Sequence, residues 1–215
     1  MKKKIDLLAF LGRNWFYYVL WLIIAVFAWE WVFAYLTKPK EEESVYLFFG
    51  VENVLTDEAH SALDSKKPEY VRNLDITFYS TRSDSFDVLF ATRIQTEADV
   101  FVLPEEYCEP SAMRYLFYPM DLSEVKEIFG EDAECGAAVC EDKAYGVKIY
   151  DKETGEGKAA NYLTYTYLDE NGEKKAVGDY YLFFNKKSLH LGKLSKSELD
   201  GALVLASAIW NDKAE

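Results

Sequence analysis

The fold class is decided by the stretch Ala98–Tyr107, ADVFVLPEEY. Its first six residues are mostly apolar and do not alternate with polar ones, which is typical of a strand buried on both faces of a parallel sheet. Pro104 then removes the N–H group that would continue the ladder, so the strand is predicted to stop there. The tail from Glu105 to Tyr107 is therefore expected to lie in solvent, at the carboxyl end of a central strand.

Two more strands, each followed by a helix, precede this stretch. The apolar runs VYLFFGV and LDITFYS predict the strands. The helices are predicted from a Thr N-cap with an acidic first turn and from apolar residues on one helical face. These strands are Val45–Val51 and Leu74–Ser80, and the helices are Thr56–Lys66 and Ser83–Gln95. The order β-α-β-α-β predicts an α/β domain with a mostly parallel sheet, whose three strands point the same way.

The second half of the chain is predicted to end in a β-hairpin and a returning helix. Asn171-Gly172 can supply the positive φ that a hairpin turn needs, so the strands on both sides of it are predicted to pair. A final helix with a Ser N-cap is expected to pack back onto the sheet. The predicted elements are helices at Ser111–Phe117 and Ser123–Gly130, a strand at Ala144–Asp151, hairpin strands at Asn161–Asp169 and Asp179–Asn185, and the final helix at Ser195–Trp210.

An apolar segment precedes the α/β domain. Residues 14–37, NWFYYVLWLIIAVFAWEWVFAYLT, carry Glu30 as their only formal charge. They can form about 36 Å of helix, enough to cross a bilayer core of about 30 Å. We expect an uncleaved anchor and not a cleaved signal peptide, because the apolar region exceeds the usual length of about 7 to 15 residues and no small-x-small site follows it.

Basic residues are more frequent before the span than after it. Lys2, Lys3, Lys4 and Arg13 precede it, and only Lys38 and Lys40 follow closely. This bias favours a cytoplasmic N-terminus in a single-pass protein of the cell membrane. The predicted organisation is a cytoplasmic N-terminus (1–13), a transmembrane helix (14–37), a linker (38–44) and an extracytoplasmic α/β domain (45–212).

The charge of the chain excludes one class of partner. The sequence has 24 basic and 37 acidic residues, a net charge of −13, and residues 1–40 are basic on balance. The part after the span is therefore strongly acidic, which makes nucleic acid a poor partner because phosphate binding needs clustered Lys and Arg. Solubility explains distributed acidity, and cationic solutes or metal ions as partners remain an alternative.

The cysteines allow two interpretations. Cys135 and Cys140 could form a short-loop disulfide if Gly136 lets the chain turn, with Cys108 left free, or all three thiols are free. Neither His60 nor any other histidine lies at zinc-binding spacing from them. We expect no metal site and no cofactor.

Signatures of catalysis are scarce. The sequence contains no G-x-S-x-G elbow, no Walker phosphate loop and no H-E-x-x-H motif. Adjacent carboxylates such as Glu105 and Glu106 seldom have the separated pKa values that acid-base chemistry needs. We therefore expect a protein without enzymatic activity, and an unrecognised hydrolase is the least favoured alternative.

The three parallel strands are expected to end along one edge of the sheet. Ligands of open α/β sheets bind at that edge. The polar and aromatic residues that follow the strands are the candidate ligand-binding residues: Glu52, Asn53, Ser80, Thr81, Glu105 and Tyr107. Their expected roles are hydrogen bonding by Asn, Ser and Thr, charge from Glu, and stacking by Tyr107.

Four short segments occur in an order that resembles a known family. They are ADVFVL (Ala98–Leu103), PMDL (Pro119–Leu122), YGV (Tyr145–Val147) and YLFFNK (Tyr181–Lys186). This series resembles the first part of bacterial extracellular solute-binding proteins of the type 2 periplasmic-binding fold, over residues 44–210. Those proteins bind solute between two lobes, and the length available here corresponds to one lobe.

The resemblance implies a function as well as a fold. It implies a membrane-anchored binding or interaction module, with a small solute as ligand and a membrane protein complex such as a transporter as partner. The alternative is a structural or assembly protein of the membrane that has no small-molecule ligand, because its own loops fill the sheet edge.

Overall fold

A computed structural model describes residues 7–212, and for residues 7–14, 93 and 94 it describes the backbone only. The described chain forms two compact units that divide between Lys40 and Glu41. The first unit contains helix α1 (Leu7–Thr37). Its stretch Trp15–Thr37 is long and apolar enough to cross a membrane, a test that a signal sequence near the N-terminus also passes.

The second unit is a mixed α/β domain with short elements between the main strands. Its strands and α-helices in chain order are β1 (Ser44–Phe49), β2 (Asn53–Val54), α2 (Thr56–Asp64), β3 (Asn73–Phe78), α3 (Phe86–Leu89), α4 (Gln95–Glu97), β4 (Val100–Pro104), α5 (Pro110–Leu116), α6 (Leu122–Phe129), β5 (Val139–Cys140), β6 (Lys143–Ala144), β7 (Gly146–Tyr150), β8 (Leu163–Thr164), β9 (Thr166–Leu168), β10 (Lys174–Ala176), β11 (Tyr180–Phe184) and α7 (Gly201–Asn211). Four 3₁₀ turns (Glu41–Glu43, Glu105–Cys108, Gly136–Ala138 and Gly192–Leu194) and one π-helical stretch (Phe90–Ile94) complete it.

Five strands form the central sheet, in the order β3-β1-β4-β11-β7. β1 is parallel to both β3 and β4, with Phe48 opposite Thr77 and Phe101. β11 runs antiparallel to β4 and to β7, so four of the five strands point the same way. The prediction of a mostly parallel sheet, with Ala98–Leu103 supplying a central strand, is confirmed.

Helices and loops cover both faces of the sheet. On β1, Leu47 and Phe49 pack into the larger apolar cluster with α2, α6 and α7, whereas Phe48 packs into a second cluster on the other face. β4 alternates in the same way, with Phe101 among the aromatic rings of the second cluster. Because residues on both faces of a strand are buried, the strands have continuous apolar sequences without alternation.

A polar network lies at the amino ends of the parallel strands. The buried Asp99 carboxylate accepts hydrogen bonds from the Tyr46 N–H group at 2.9 Å and from the Ser188 hydroxyl at 2.6 Å. Burial raises the pKa of Asp99 above its ordinary value, although these two hydrogen bonds oppose the change. The His190 Nε2 atom lies 3.1 Å from the Glu41 carbonyl oxygen, so the beginning of the second unit is attached to this end of the sheet.

The predicted hairpin between Asn161–Asp169 and Asp179–Asn185 is wrong in its pairing. β9 pairs instead with β10, around a turn in which Gly172 has φ +78°. β11 leaves that hairpin and inserts between β4 and β7. All five residues of β11 are buried, and a two-stranded hairpin cannot cover both faces of such a strand.

Helix boundaries also differ from the prediction. α2 begins at Thr56 itself after Leu55, so Thr56 is not the N-cap. The helix predicted at Ser83–Gln95 begins at Phe86 and contains the π-helical stretch. α7 begins at Gly201 and not at Ser195, because the Ser197 hydroxyl donates to the Leu189 carbonyl and accepts from the Leu199 N–H group, which stabilises a turn before the helix.

Candidate functional site

Three of the six predicted site residues lie together at the C-terminal edge of the sheet. Glu52 follows β1, and Ser80 and Thr81 follow β3. The Ser80 hydroxyl lies 3.2 Å from Glu52 Oε2 and donates a hydrogen bond to it. Arg82 Nη1 lies 3.9 Å from the same oxygen, and the Arg82 N–H group donates to the Ser80 hydroxyl. We call Glu52, Ser80, Thr81, Arg82 and Tyr180 the Glu52 cluster.

The Glu52 cluster contains buried polar atoms without partners. The Glu52 side chain is only 8% exposed. Its Oε1 atom, the Thr81 hydroxyl and the Tyr180 hydroxyl are all buried, and none has a hydrogen-bond partner within the described part of the chain. A buried polar atom without a partner costs about 1–3 kcal/mol, so three of them at one sheet edge are unusual.

The unpaired atoms lie near one another. The Thr81 hydroxyl lies close enough to the Tyr180 hydroxyl to lower its pKa as a hydrogen-bond partner does, and the charge of Glu52 acts on the same hydroxyl. The contact between Thr81 and Tyr180 falls outside ordinary hydrogen-bond distances and angles, so it is weak. Burial is the main cause that raises the pKa of Tyr180, and the negative charges of Glu52 and Glu106 add to it. Tyr180 is therefore a neutral hydroxyl at physiological pH, able to donate or accept a hydrogen bond.

Residues 161–178, which we call the cover segment, lie over the Glu52 cluster. Within it, β8 pairs antiparallel with β2, and the Thr164 carbonyl accepts a hydrogen bond from the Glu52 N–H group at 3.0 Å. The Arg82 guanidinium carbon lies 3.8 Å from the centre of the Tyr167 ring. The edge that was predicted to bind a ligand is therefore closed by the chain itself.

Stacked tyrosines lie beside the cluster. The ring centres of Tyr150 and Tyr165 are 4.7 Å apart, and those of Tyr165 and Tyr180 are 5.2 Å apart. The Tyr165 hydroxyl donates to the Lys158 carbonyl at 2.7 Å. Tyr150, Tyr165 and Tyr180 are buried, so the Tyr165 ring packs this part of the cover segment into the core.

The other three predicted residues contact other groups. Asn53 is exposed and pairs through its backbone with Thr164. Glu105 is exposed, and its N–H group donates to the Asp179 carbonyl. Tyr107 packs edge-on against Phe90 with ring centres 5.0 Å apart, and its hydroxyl lies 3.4 Å from Asp87 Oδ1. The structure does not bring them into the Glu52 cluster, and a ligand-binding role for any of the six stays a prediction.

Two members of the cluster were missed by sequence reasoning. Arg82 lies two residues after Ser80, so its position after β3 could have predicted that it lies at this edge. Tyr180 carried no such signal, because it reaches this edge only through the insertion of β11 into the central sheet.

A concave region elsewhere in the second unit contains none of the six predicted residues. It is a groove of about 790 Å³ beside β7, the turn at Thr154–Lys158 and Trp210. Lys148 lies in the groove, with its Nζ atom 2.6 Å from Asp151 Oδ2 and 3.6 Å from Glu134 Oε2. The hydrogen bond from Lys148 lowers the pKa of Asp151 to about 2. The Lys148 ammonium group and the carboxylates of Asp151 and Glu134 therefore neutralise one another.

Cysteine and metal chemistry are limited in the described part of the chain. Cys108, Cys135 and Cys140 are all free, so of the two interpretations of the cysteines, three free thiols is the one observed. Burial raises the pKa of the Cys108 thiol to about 12, which keeps it protonated and unreactive. Within residues 7–212 no group of three or more His, Cys, Asp or Glu side chains is placed to bind a metal ion.

Comparisons with known proteins found partial structural likenesses only. No family model matches the sequence, and no curated protein matches it. One similar solved structure is the galacto-N-biose-/lacto-N-biose I-binding protein of the ABC transporter from Bifidobacterium longum, with a TM-score of 0.37 and 13% identity over 50% of this chain and 28% of that chain. Another is a cyclo/maltodextrin-binding protein complexed with maltotetraose, with a TM-score of 0.36 and 14% identity over 54% of this chain and 29% of that chain.

A third similar structure is an enzyme. It is a eukaryotic thiaminase-I bound to the thiamin analogue 3-deazathiamin, with a TM-score of 0.33 and 16% identity over 50% of this chain and 32% of that chain. The matched part is thus less than a third of each of these proteins. Likenesses this weak do not decide between a binding protein and an enzyme.

Proposed function

We propose that the second unit is a binding module that holds a small solute at the C-terminal edge of its sheet and catalyses no reaction. The observation that carries this proposal is the Glu52 carboxylate, which is 8% exposed and has one oxygen without a hydrogen-bond partner. Burying a carboxylate costs free energy unless it is fully hydrogen-bonded. A ligand that completes the hydrogen bonding of Glu52 would offset this cost.

The neighbours of Glu52 support the same proposal. The hydroxyls of Thr81 and Tyr180 are also buried without partners; Thr81 follows β3, and Tyr180 begins β11. Ligand sites combine an apolar surround with a few convergent polar groups. The packed rings of Tyr150 and Tyr165 supply the apolar surround here.

We further propose that α1 anchors the module in the cell membrane, with the N-terminus in the cytoplasm and the module outside it. The length of the apolar helix and the lysines before it support this placement. A membrane protein complex, such as a transporter, is the proposed partner. This partner is suggested by the resemblance of the four ordered segments to solute-binding proteins.

The cover segment favours a second candidate function. Its β8 strand and Tyr167 occupy the edge where a solute would approach. A structural or assembly protein of the membrane, without a small-molecule ligand, would need no access to this edge.

Thermal unfolding of the full chain in detergent micelles separates the two candidates. A solute that binds only the folded protein raises the melting temperature, and the rise grows with the logarithm of the solute concentration above its Kd. We expect at least one member of a panel of sugars, short peptides, amines and metal cations to raise the Tm of the unmodified protein and not that of the Glu52→Gln variant. Glu131→Gln is the matched control, because Glu131 is exposed on the surface after α6. If no solute gives a rise that depends on Glu52, the structural role is favoured.

A further inference from the structure

We propose that the Glu52 cluster binds the primary ammonium group of a small solute. The inference rests on the proposed binding function and names the chemical class of the ligand. Three oxygen atoms of the cluster are buried without partners: Glu52 Oε1 and the hydroxyls of Thr81 and Tyr180. A carboxylate oxygen can only accept a hydrogen bond, and each hydroxyl can accept one as well.

The number of donors favours ammonium. A primary ammonium group has three N–H donors and no acceptor, so it can give one hydrogen bond to each of the three oxygens. A neutral hydroxyl group has a single O–H donor and carries no charge to offset that of Glu52. Hydrogen bonds between an ammonium and a carboxylate are also about twice as strong as bonds between neutral groups.

The charges around the cluster favour a cation. Glu52 and Glu106 both place negative charge near the Tyr180 hydroxyl. The positive side chain of Arg82 lies next to Glu52. Its Nη1 atom is 3.9 Å from Glu52 Oε2, and half of the Arg82 side chain is exposed to solvent. Solvent weakens such an ion pair, so Arg82 offsets only part of the negative charge of Glu52. An anionic solute would be repelled by this buried negative charge.

Access requires movement of the cover segment. Tyr162, Leu163 and Tyr165 of this segment are buried in the core, so the part that can move is the β9–β10 hairpin, which Arg82 contacts through the Tyr167 ring. A two-stranded hairpin whose strand residues are exposed or half-buried opens locally at small cost in free energy. An incoming ammonium group can therefore reach Glu52 without unfolding of the central sheet.

The test uses three probes of equal chain length: n-butylamine, n-butanol and butyrate. Each is added to the full chain in detergent micelles at neutral pH, at the same concentration and ionic strength, and the Tm is measured. We expect n-butylamine to raise the Tm and the other two probes to leave it unchanged. Glu52→Gln is expected to weaken n-butylamine binding by about tenfold or more, since the charge-assisted hydrogen bond is lost. Glu131→Gln should bind n-butylamine like the unmodified protein.

The results distinguish this inference from the function on which it rests. A Tm rise with n-butylamine that persists in Glu52→Gln would overturn the inference, because the acidic surface would then account for it. A Glu52-dependent rise with n-butanol or a sugar, and none with n-butylamine, would overturn the ammonium ligand and leave the binding module standing. If no probe of any class gives a Glu52-dependent rise, both proposals fail.

Discussion

The side chains of Tyr180 and Tyr165 differ in whether the buried hydroxyl has a hydrogen-bond partner. The Tyr180 hydroxyl is buried without a partner, whereas the hydroxyl of its neighbour Tyr165 donates to the Lys158 carbonyl. A buried group that lacks a partner lowers stability in the absence of ligand. The two tyrosines are therefore a matched pair, one with an unsatisfied hydroxyl and one with a satisfied hydroxyl.

Removal of these two hydroxyls is expected to have opposite effects on stability. Tyr180→Phe should leave the free energy of unfolding of the ligand-free protein unchanged or raise it by about 1 kcal/mol. Tyr165→Phe should lower it by about 1 kcal/mol, because a buried carbonyl loses its donor. Urea unfolding of both variants measures the difference. A loss of stability in Tyr180→Phe as large as that in Tyr165→Phe would show that the Tyr180 hydroxyl has a partner.

Asp99 is expected to make stability depend on pH. Its raised pKa means that the folded protein holds the proton more tightly than the unfolded chain does. This contribution to stability is complete below the ordinary pKa of about 3.9 and is lost as the pH rises through the raised value. The free energy of unfolding of the unmodified protein, relative to Asp99→Asn, should therefore fall as the pH rises from about 4 towards neutrality.

A urea titration at each pH measures that difference. The charged neighbours of Asp99, His190 and Glu41, are present in both proteins, so their direct contribution largely cancels. A difference that grows with pH would mean that the hydrogen bonds from Ser188 and Tyr46 outweigh burial.

Among the elements, the cover segment is the one whose behaviour decides whether the site can be reached. Arg82 contacts its Tyr167 ring, and an exposed cation–π contact of this kind contributes about 0.5–1 kcal/mol. We expect Arg82→Ala to increase hydrogen exchange of the backbone amides in β8 by about two- to fivefold. Exchange in β1 should not change, because the central sheet does not depend on this contact.

Arg72→Ala is the control for this measurement. Arg72 forms a comparable exposed ion pair with Glu43, at 3.7 Å, outside the cover segment. Its removal should leave exchange in β8 as it is in the unmodified protein. Equal effects of the two substitutions on β8 would contradict a specific role of Arg82 in holding the cover segment.

The sequence predicted the elements whose signals are local and missed the contacts that depend on topology. Ala98–Leu103 and Val45–Val51 were placed correctly because continuous apolar runs reflect burial on both faces. Asp179–Asn185 has the same kind of sequence, but the nearby Asn171-Gly172 turn suggested a hairpin. Its insertion between β4 and β7 is a long-range pairing, which no local pattern encodes.

The candidate site was predicted in part for the same reason. Glu52, Ser80 and Thr81 lie together because parallel strands end at one edge, a rule that follows from the β-α-β-α-β order. Glu105 and Tyr107 diverge because Glu105–Cys108 forms a 3₁₀ turn directly after β4. That turn takes Tyr107 to the aromatic cluster on one face of the sheet.

For the whole molecule, the proposed anchor makes a testable statement about where the protein is found. We expect the full chain to stay in the membrane fraction after alkaline carbonate extraction, with an intact mass that includes residues 14–37. Protease added outside intact cells should digest the second unit. Release of a shorter soluble product would indicate a cleaved signal peptide, and protection of the second unit in intact cells would reverse the proposed orientation.

The attachment of the second unit at Glu41 has a mechanical consequence. The chain passes from Glu41–Glu43 directly into β1, which lies between β3 and β4 in the sheet. A pull on the chain at Glu41 would be passed to β1, whose hydrogen bonds to both neighbouring strands would share the load. The proposed site lies beyond the other end of β1, roughly 20 Å from Ser44 for a strand of this length. We expect the hydrogen bonds of the sheet to resist a force applied at Glu41 before that force reaches Glu52.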